Sequence, residues 1–280
     1  MNATFSRLLN YQHLPAKSPA HHAPIMFLHG LFGYGRNWLS IARQFPEYSC
    51  ILPDLRNHGQ SFHDDDFSLS AMAKDIENLR QDLGWDRFHL IGHSLGGKVA
   101  MQYAHDFGLG LASLSVLDIA PRPYDLSEHK ALIEALQRLD LSRIHRRHDA
   151  DEALQAEIPN AMVRRFLLSN LRQVEHQTET GNKNTSTWVW QMNLERMAQD
   201  LDTLKAAPNA SHSTPRPFTR CPVQFIGGAN SDYMPKSDHA IIFTQFPEAQ
   251  VHWIEQAGHW LHVEQPEALI KKIKDFLNRP

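Results

Sequence analysis

The stretch FHLIGHSLGGKVAMQYA, residues 88–104, constrains the fold of this chain more than any other. An apolar run ends at Gly92, Ser94 follows two positions later, and Gly96 and Gly97 open a helix-patterned segment. A strand that turns directly into a helix holds its apex residue in a strained backbone and leaves no room for side chains two positions to either side. Glycines at 92 and 96 remove that clash. The arrangement lifts the Ser94 hydroxyl above a sheet, with the Leu95 amide and the positive end of the helix dipole facing any oxyanion formed there. Gly-x-Ser-x-Gly alone occurs in many small-residue turns. With a strand before it and a helix after it, the reading is a nucleophile.

Further short apolar runs at Ile25–Leu28, Cys50–Leu52, Leu111–Leu117, Val223–Ile226 and Gln250–Ile254 read as buried strands. Helical patterns at Leu69–Leu83, Gly97–Phe107, Ser237–Gln245 and Pro266–Asn278 alternate with them. That rhythm predicts an α/β fold, a mostly parallel sheet with helices on both faces. It breaks after Pro121. Residues 122–215 carry helical patterns such as HKALIEALQRL and NAMVRRFLLSNLRQ, then the polar turn TETGNKNT and the run TWVWQM. A connection this long inside a compact fold reads as an inserted helical cap over a core of residues 1–121 and 216–280.

Composition narrows the partners. A 42% hydrophobic, 21% charged chain with formal charge −3 has no broad positive field for nucleic acid or anionic lipid. A small neutral or mildly charged substrate is expected. No apolar run is long enough to span a bilayer, and MNATFSRLLNYQHLP lacks a long apolar core after a basic start, so a cytoplasmic location is expected. Cys50 and Cys221 each stand beside a strand-like run and read as small hydrophobes.

A serine nucleophile requires a base and an oxyanion site. The turn HGLFG, 29–33, offers a second amide donor, Leu31 before Phe32, with His29 as a structural loop residue. Among 18 histidines, His259 in EQAGHWLH lies in the turn between the last strand and the last helix, with His262 as its competitor. The spacing of HRRH, 145–148, suits a metal, but no carboxylate or cysteine cluster accompanies it, so a solvated basic face is expected and no metal or cofactor is called for. Arg56, His58 and Ser61 in DLRNHGQS read as loop-holding groups. Trp188, Trp190 and Met192 alternate in the cap; they make its own small core or, more sharply, a pocket wall for an acyl chain. Phe32, Ser231 and Trp260 complete the candidate substrate contacts.

HGLFG, DLRNHGQS (54–61), GHSLGGK (92–98), LDIAP (117–121), GGANSDY (227–233) and AGHWLHVEQP (257–266) occur in an order that resembles the α/β-hydrolase superfamily and, within it, the YbfF-type esterases. The superfamily's common Gly-x-x-Asp turn, counted from Gly228, lands on Ser231, and Asp232 comes one residue late. The other acid is Asp118, a charge at the carboxyl end of an apolar strand, where the active sites of open α/β sheets lie. Similarity to the YbfF-type esterases implies the same placement of the acid on the earlier strand, with the turn serine near the histidine, although Ala229 lengthens that turn here. The expectation is a Ser94–His259–Asp118 hydrolase of carboxylic esters or thioesters with short to medium acyl chains. Arg122, Arg146 and Arg147 are available to coenzyme A phosphates. A carbon–carbon bond hydrolase or lyase on the same triad, and a noncatalytic ligand-binding protein on the same scaffold, are the alternatives.

Overall fold

The computed structural model describes residues 7–18, 22–177, 184–209 and 217–278. In chain order the strands are β1 (Tyr11–Leu14), β2 (Ile25–Leu28), β3 (Cys50–Pro53), β4 (Phe88–His93), β5 (Leu111–Leu117), β6 (Leu171–Gln177), β7 (Asn184–Trp190), β8 (Val223–Gly228) and β9 (Gln250–Ile254). The α-helices are α1 (Leu39–Ala42), α2 (Leu69–Asp82), α3 (Leu95–Phe107), α4 (Ser127–Arg138), α5 (Arg147–Leu154), α6 (Ala161–Leu168), α7 (Leu194–Asp200), α8 (His239–Gln245), α9 (Leu261–Glu264) and α10 (Pro266–Leu277).

Seven strands form one sheet in the order β1-β3-β2-β4-β5-β8-β9. All neighbours run parallel except β1, which pairs antiparallel with β3. Every residue of β2, β3 and β8 is buried, as strands covered on both faces must be. Side chains alternate between the faces. Met26 and Leu28 of β2 join the larger core with α2 and α3, while Ile25 and Phe27 join the smaller one with Trp38, Phe45 and Ile273. β1 was not expected from its sequence, YQHL. It is an edge strand with no fully buried residue, so it carries no apolar pattern to read.

The turn at Ser94 sits at the carboxyl end of the central strand β4. A Cβ on Gly92 would lie 2.2 Å from the Gly96 carbonyl oxygen, and one on Gly96 2.6 Å from those of Leu28 and His29. Both distances are far inside contact, which is why neither position tolerates a side chain. Helix α3 starts at Leu95, two residues earlier than its pattern suggested, because Ser94 at φ 53° already occupies the N-cap.

The insertion between β5 and β8 carries helices α4 to α7, and with them a hairpin that was not expected. After α6 the run LRQ leaves the helix and pairs as β6 with β7, from Leu171↔Trp190 to Gln177↔Asn184. Asn170 ends the helix by donating its side-chain amide to the Phe32 carbonyl, 2.7 Å away, and so ties the insertion to the HGLFG turn. Residues 178–183 of the polar turn TETGNKNT and residues 210–216 lie outside the described residues.

The DLRNHGQS loop is fixed by burial and charge. Arg56 forms a two-pronged ion pair with Asp75 of α2, Nε to Oδ2 at 2.6 Å and Nη2 to Oδ1 at 2.8 Å, and both side chains are under a tenth exposed. Removing one partner of such a pair strands the other charge in the core. Arg56→Ala is therefore expected to cost about 3–5 kcal/mol, read as a lower urea midpoint. A loss within about 0.5 kcal/mol, the range of ordinary surface changes, would mean that the loop holds without it.

Candidate active site

The carboxyl ends of β4, β5 and β8 and the loop after β9 bring together residues far apart in sequence. Asp118 directly follows β5, with φ 49°, and is wholly buried. Its carboxylate accepts three hydrogen bonds. Oδ1 takes the Gly228 amide at 2.8 Å; Oδ2 takes the Ser231 hydroxyl and lies 2.7 Å from His259 Nδ1. These partners satisfy a charge whose burial would otherwise be prohibitive. With Asp118 accepting, Nδ1 carries the imidazole proton and Nε2 keeps its lone pair.

Asp232 lies elsewhere. It is exposed, and its backbone carbonyl accepts from Arg122 Nη2 at 3.3 Å. Ser231, one residue earlier, takes the inward position, where it bonds Asp118 rather than lining the cavity. His262 makes no contact with Asp118. It packs half-buried against Trp38, with ring centroids 4.8 Å apart, and the desolvation of its ring lowers its pKa to about 4.

Ser94 and His259 line the same cavity of about 210 Å³, together with Leu31, Phe32, His93, His129, Tyr233 and Trp260. Helices α4 and α6 roof it with Leu132, Val163 and Phe166. The HGLFG turn forms one wall. The Gly33 amide donates to the Gly30 carbonyl at 3.0 Å, and Phe32 takes φ 63° at the turn's third position, which is costly for a non-glycine residue. Among the described residues no acceptor takes the amides of Leu31, Phe32 or Leu95. His29 props the turn from behind: Nε2 accepts from the Leu55 amide at 2.9 Å and Nδ1 donates to the Gly30 carbonyl at 2.8 Å. Burial lowers its pKa to about 4, which keeps it neutral, as that pairing requires.

Trp188 and Trp190 do not line this cavity, contrary to the acyl-wall expectation. They lie half-buried on β7, packed against the insertion's side of the larger core, with the Arg147 guanidinium 6.0 Å from the Trp188 ring. Hairpin pairing with β6, Leu171↔Trp190 and Gln173↔Trp188, sets where they sit. Three neighbours of His259 were not foreseen. Tyr233 stacks on its ring at 3.8 Å and 22°. His93 donates from Nε2 to its backbone carbonyl at 2.8 Å, and His129 sits across the cavity with Nδ1 buried and unpartnered. For Tyr233 a signal existed, its place directly after GGANSD. For His129 none did, because only the topology carries α4 over the strand ends.

Among the described residues no group of three or more His, Cys, Asp or Glu side chains is placed to hold a metal ion. Within HRRH, His148 pairs with Glu152 and Arg146 with Asp149 at the exposed surface.

This arrangement has relatives. The chain is 34% identical to the sn-1-specific diacylglycerol lipase ABHD11 of Mus musculus over 90% of its own length and 80% of that protein's. It is 29% identical to esterase YbfF of Escherichia coli strain K12, over 96% and 99%. A solved marine microorganism esterase superposes with a TM-score of 0.85 at 33% identity, covering 97% of this chain and all of that one. The alpha/beta hydrolase fold family matches residues 23–266, from the first parallel strand to the start of α10. With that match over most of its length and the strand–serine–helix turn at its centre, the chain belongs to the α/β-hydrolase family.

Proposed function

We propose that this protein is a serine hydrolase of carboxylic esters. The observation that carries the reading is the 2.7 Å contact of His259 Nδ1 with buried Asp118, on the rim of a cavity that also holds Ser94 at a strained positive φ. Ser94 Oγ attacks the ester carbonyl as His259 Nε2 takes its proton. The amides of Leu31 and Leu95 hold the oxyanion. The bond to the alcohol then breaks, and His259 passes the proton to the departing oxygen. Water repeats the sequence on the acyl-enzyme: its proton goes to His259, its hydroxyl to the acyl carbon, and Ser94 Oγ recovers the proton. Asp118 keeps the imidazole in one tautomer and offsets its charge when protonated.

Oxygen esters are favoured over coenzyme A thioesters, because the arginines available for phosphates are engaged within the chain. Arg122 pairs with Asp238, Arg146 with Asp149, and Arg147 donates to the Leu171 carbonyl. A fluorophosphonate probe is expected to label the protein at Ser94, with mass spectrometry locating the adduct and 4-nitrophenyl acetate turnover falling in parallel. Absence of labelling in folded protein, together with no turnover of any 4-nitrophenyl ester, would point to a ligand-binding role on the hydrolase scaffold.

A further inference from the structure

A second, smaller cavity of about 30 Å³ adjoins the first. The two share Leu31, Ser94, His129 and Tyr233, so Ser94 stands at their junction. Beyond those residues the small chamber is closed by Leu95, Lys98, Ile119, Tyr124, Leu126 and Leu204. Apart from Ser94 and His129, whose Nδ1 is buried without a partner, its walls are effectively apolar. The one cation, Lys98, spends its ammonium on the carbonyls of Leu204 and Lys205. The Tyr124 hydroxyl accepts from the Ala120 amide at 2.8 Å and donates to the Tyr233 carbonyl at 2.6 Å.

An ester bound at Ser94 has two arms, and proton transfer tells them apart. The departing alcohol must take its proton from His259, and His259 lines the large cavity but not the small one. The acyl arm stays on Ser94 after the alcohol leaves, and water must then reach the carbonyl from the side of His259. The alcohol arm and the water therefore share the large cavity. The acyl arm is left with the small chamber.

We propose, resting on the ester-hydrolase reading above, that the small chamber is the acyl pocket and limits this enzyme to short acyl groups, while the large cavity admits varied alcohols. A buried water needs roughly 10–15 Å³ of such space, so the chamber holds about two or three heavy atoms beyond the carbonyl carbon. Acyl groups up to about four carbons fit. A longer chain must displace Leu126 or Leu204, and overpacking of that kind is strongly disfavoured.

The test is kcat/KM for 4-nitrophenyl acetate, butyrate, hexanoate and octanoate, with wild type, Leu126→Ala, Leu204→Ala and, in the large cavity, Phe166→Ala. Wild type is expected to fall on the order of tenfold or more between butyrate and hexanoate. Each chamber variant is expected to raise hexanoate relative to acetate by a similar factor. Phe166→Ala should keep the acyl ranking and change the ranking among ethyl, benzyl and naphthyl acetates. Equal wild-type rates on acetate and octanoate overturn the proposal, whether or not either chamber variant folds. So does a shift in acyl ranking in Phe166→Ala with none in folded Leu126→Ala or Leu204→Ala. Ser94 labelled by a fluorophosphonate with long acyl groups preferred sinks only the pocket assignment; no label and no turnover sinks the hydrolase reading and this one with it.

Discussion

Ser94→Ala is expected to lower ester turnover on the order of 10⁴-fold or more, the loss seen when a triad nucleophile is removed, while leaving the fold and its stability in place. Both halves of that result follow from the turn. The backbone strain at φ 53° is a property of any residue bearing a Cβ, and alanine keeps the Cβ, so the substitution neither relieves nor adds strain. Ser94 is buried at 8% exposure, and what holds the turn is its amide, which donates to the Leu117 carbonyl at 3.0 Å, together with the side-chain-free Gly92 and Gly96. None of these uses the hydroxyl. Kinetics on 4-nitrophenyl acetate, set beside thermal unfolding, would check it. Activity within tenfold of wild type in a variant with unchanged midpoint would remove Ser94 from the chemistry.

The turn was legible in sequence because everything that defines it is local: an apolar strand, two glycines whose absent side chains relieve contacts of 2.2 and 2.6 Å, and a helix opening beside them. The same holds for β2, β3, β5, β8 and β9, whose apolar runs survive in the structure with ends shifted by at most two residues. Legibility fails where tertiary placement decides. Trp188 and Trp190 carry a period of two that reads correctly as alternation, yet alternation does not say which surface lies behind it, and here that surface is the core rather than the cavity. Tyr124, Tyr233 and His259 stack in succession, at 5.9 Å and 3.8 Å, from three segments separated by more than a hundred residues of chain or brought in by a different strand. No window of sequence contains that stack. The edge strand β1 and the β6–β7 hairpin fall between these cases. Their pairing is regular, but β1 and β6 are polar strands that carry little hydrophobic period to mark them.

The two acids left open by the sequence now separate on geometry, and they set the second large effect. Asp118→Asn is expected to reduce turnover by up to ~10⁴-fold. The amide group preserves the shape and can still accept, but it removes the negative charge that offsets the imidazolium, and its NH₂ can turn toward Nδ1 and favour the tautomer protonated at Nε2. In that tautomer His259 has no lone pair for the Ser94 proton. Asp232→Asn is expected to change the rate little, because that side chain is exposed and only its backbone carbonyl is engaged, with Arg122. Ser231→Ala falls between them. It removes one of the three hydrogen bonds to the Asp118 carboxylate and leaves those from the Gly228 amide and His259, so the acid stays in place with a weaker hold. The expected order of activity is Asp232→Asn above Ser231→Ala above Asp118→Asn, measured as kcat/KM on one short-chain ester with folding checked by circular dichroism. A crippled Asp232→Asn beside a near-normal Asp118→Asn would mean that the turn after β8 rearranges in catalysis to bring Asp232 to the imidazole, and the assignment of the acid to β5 would be wrong.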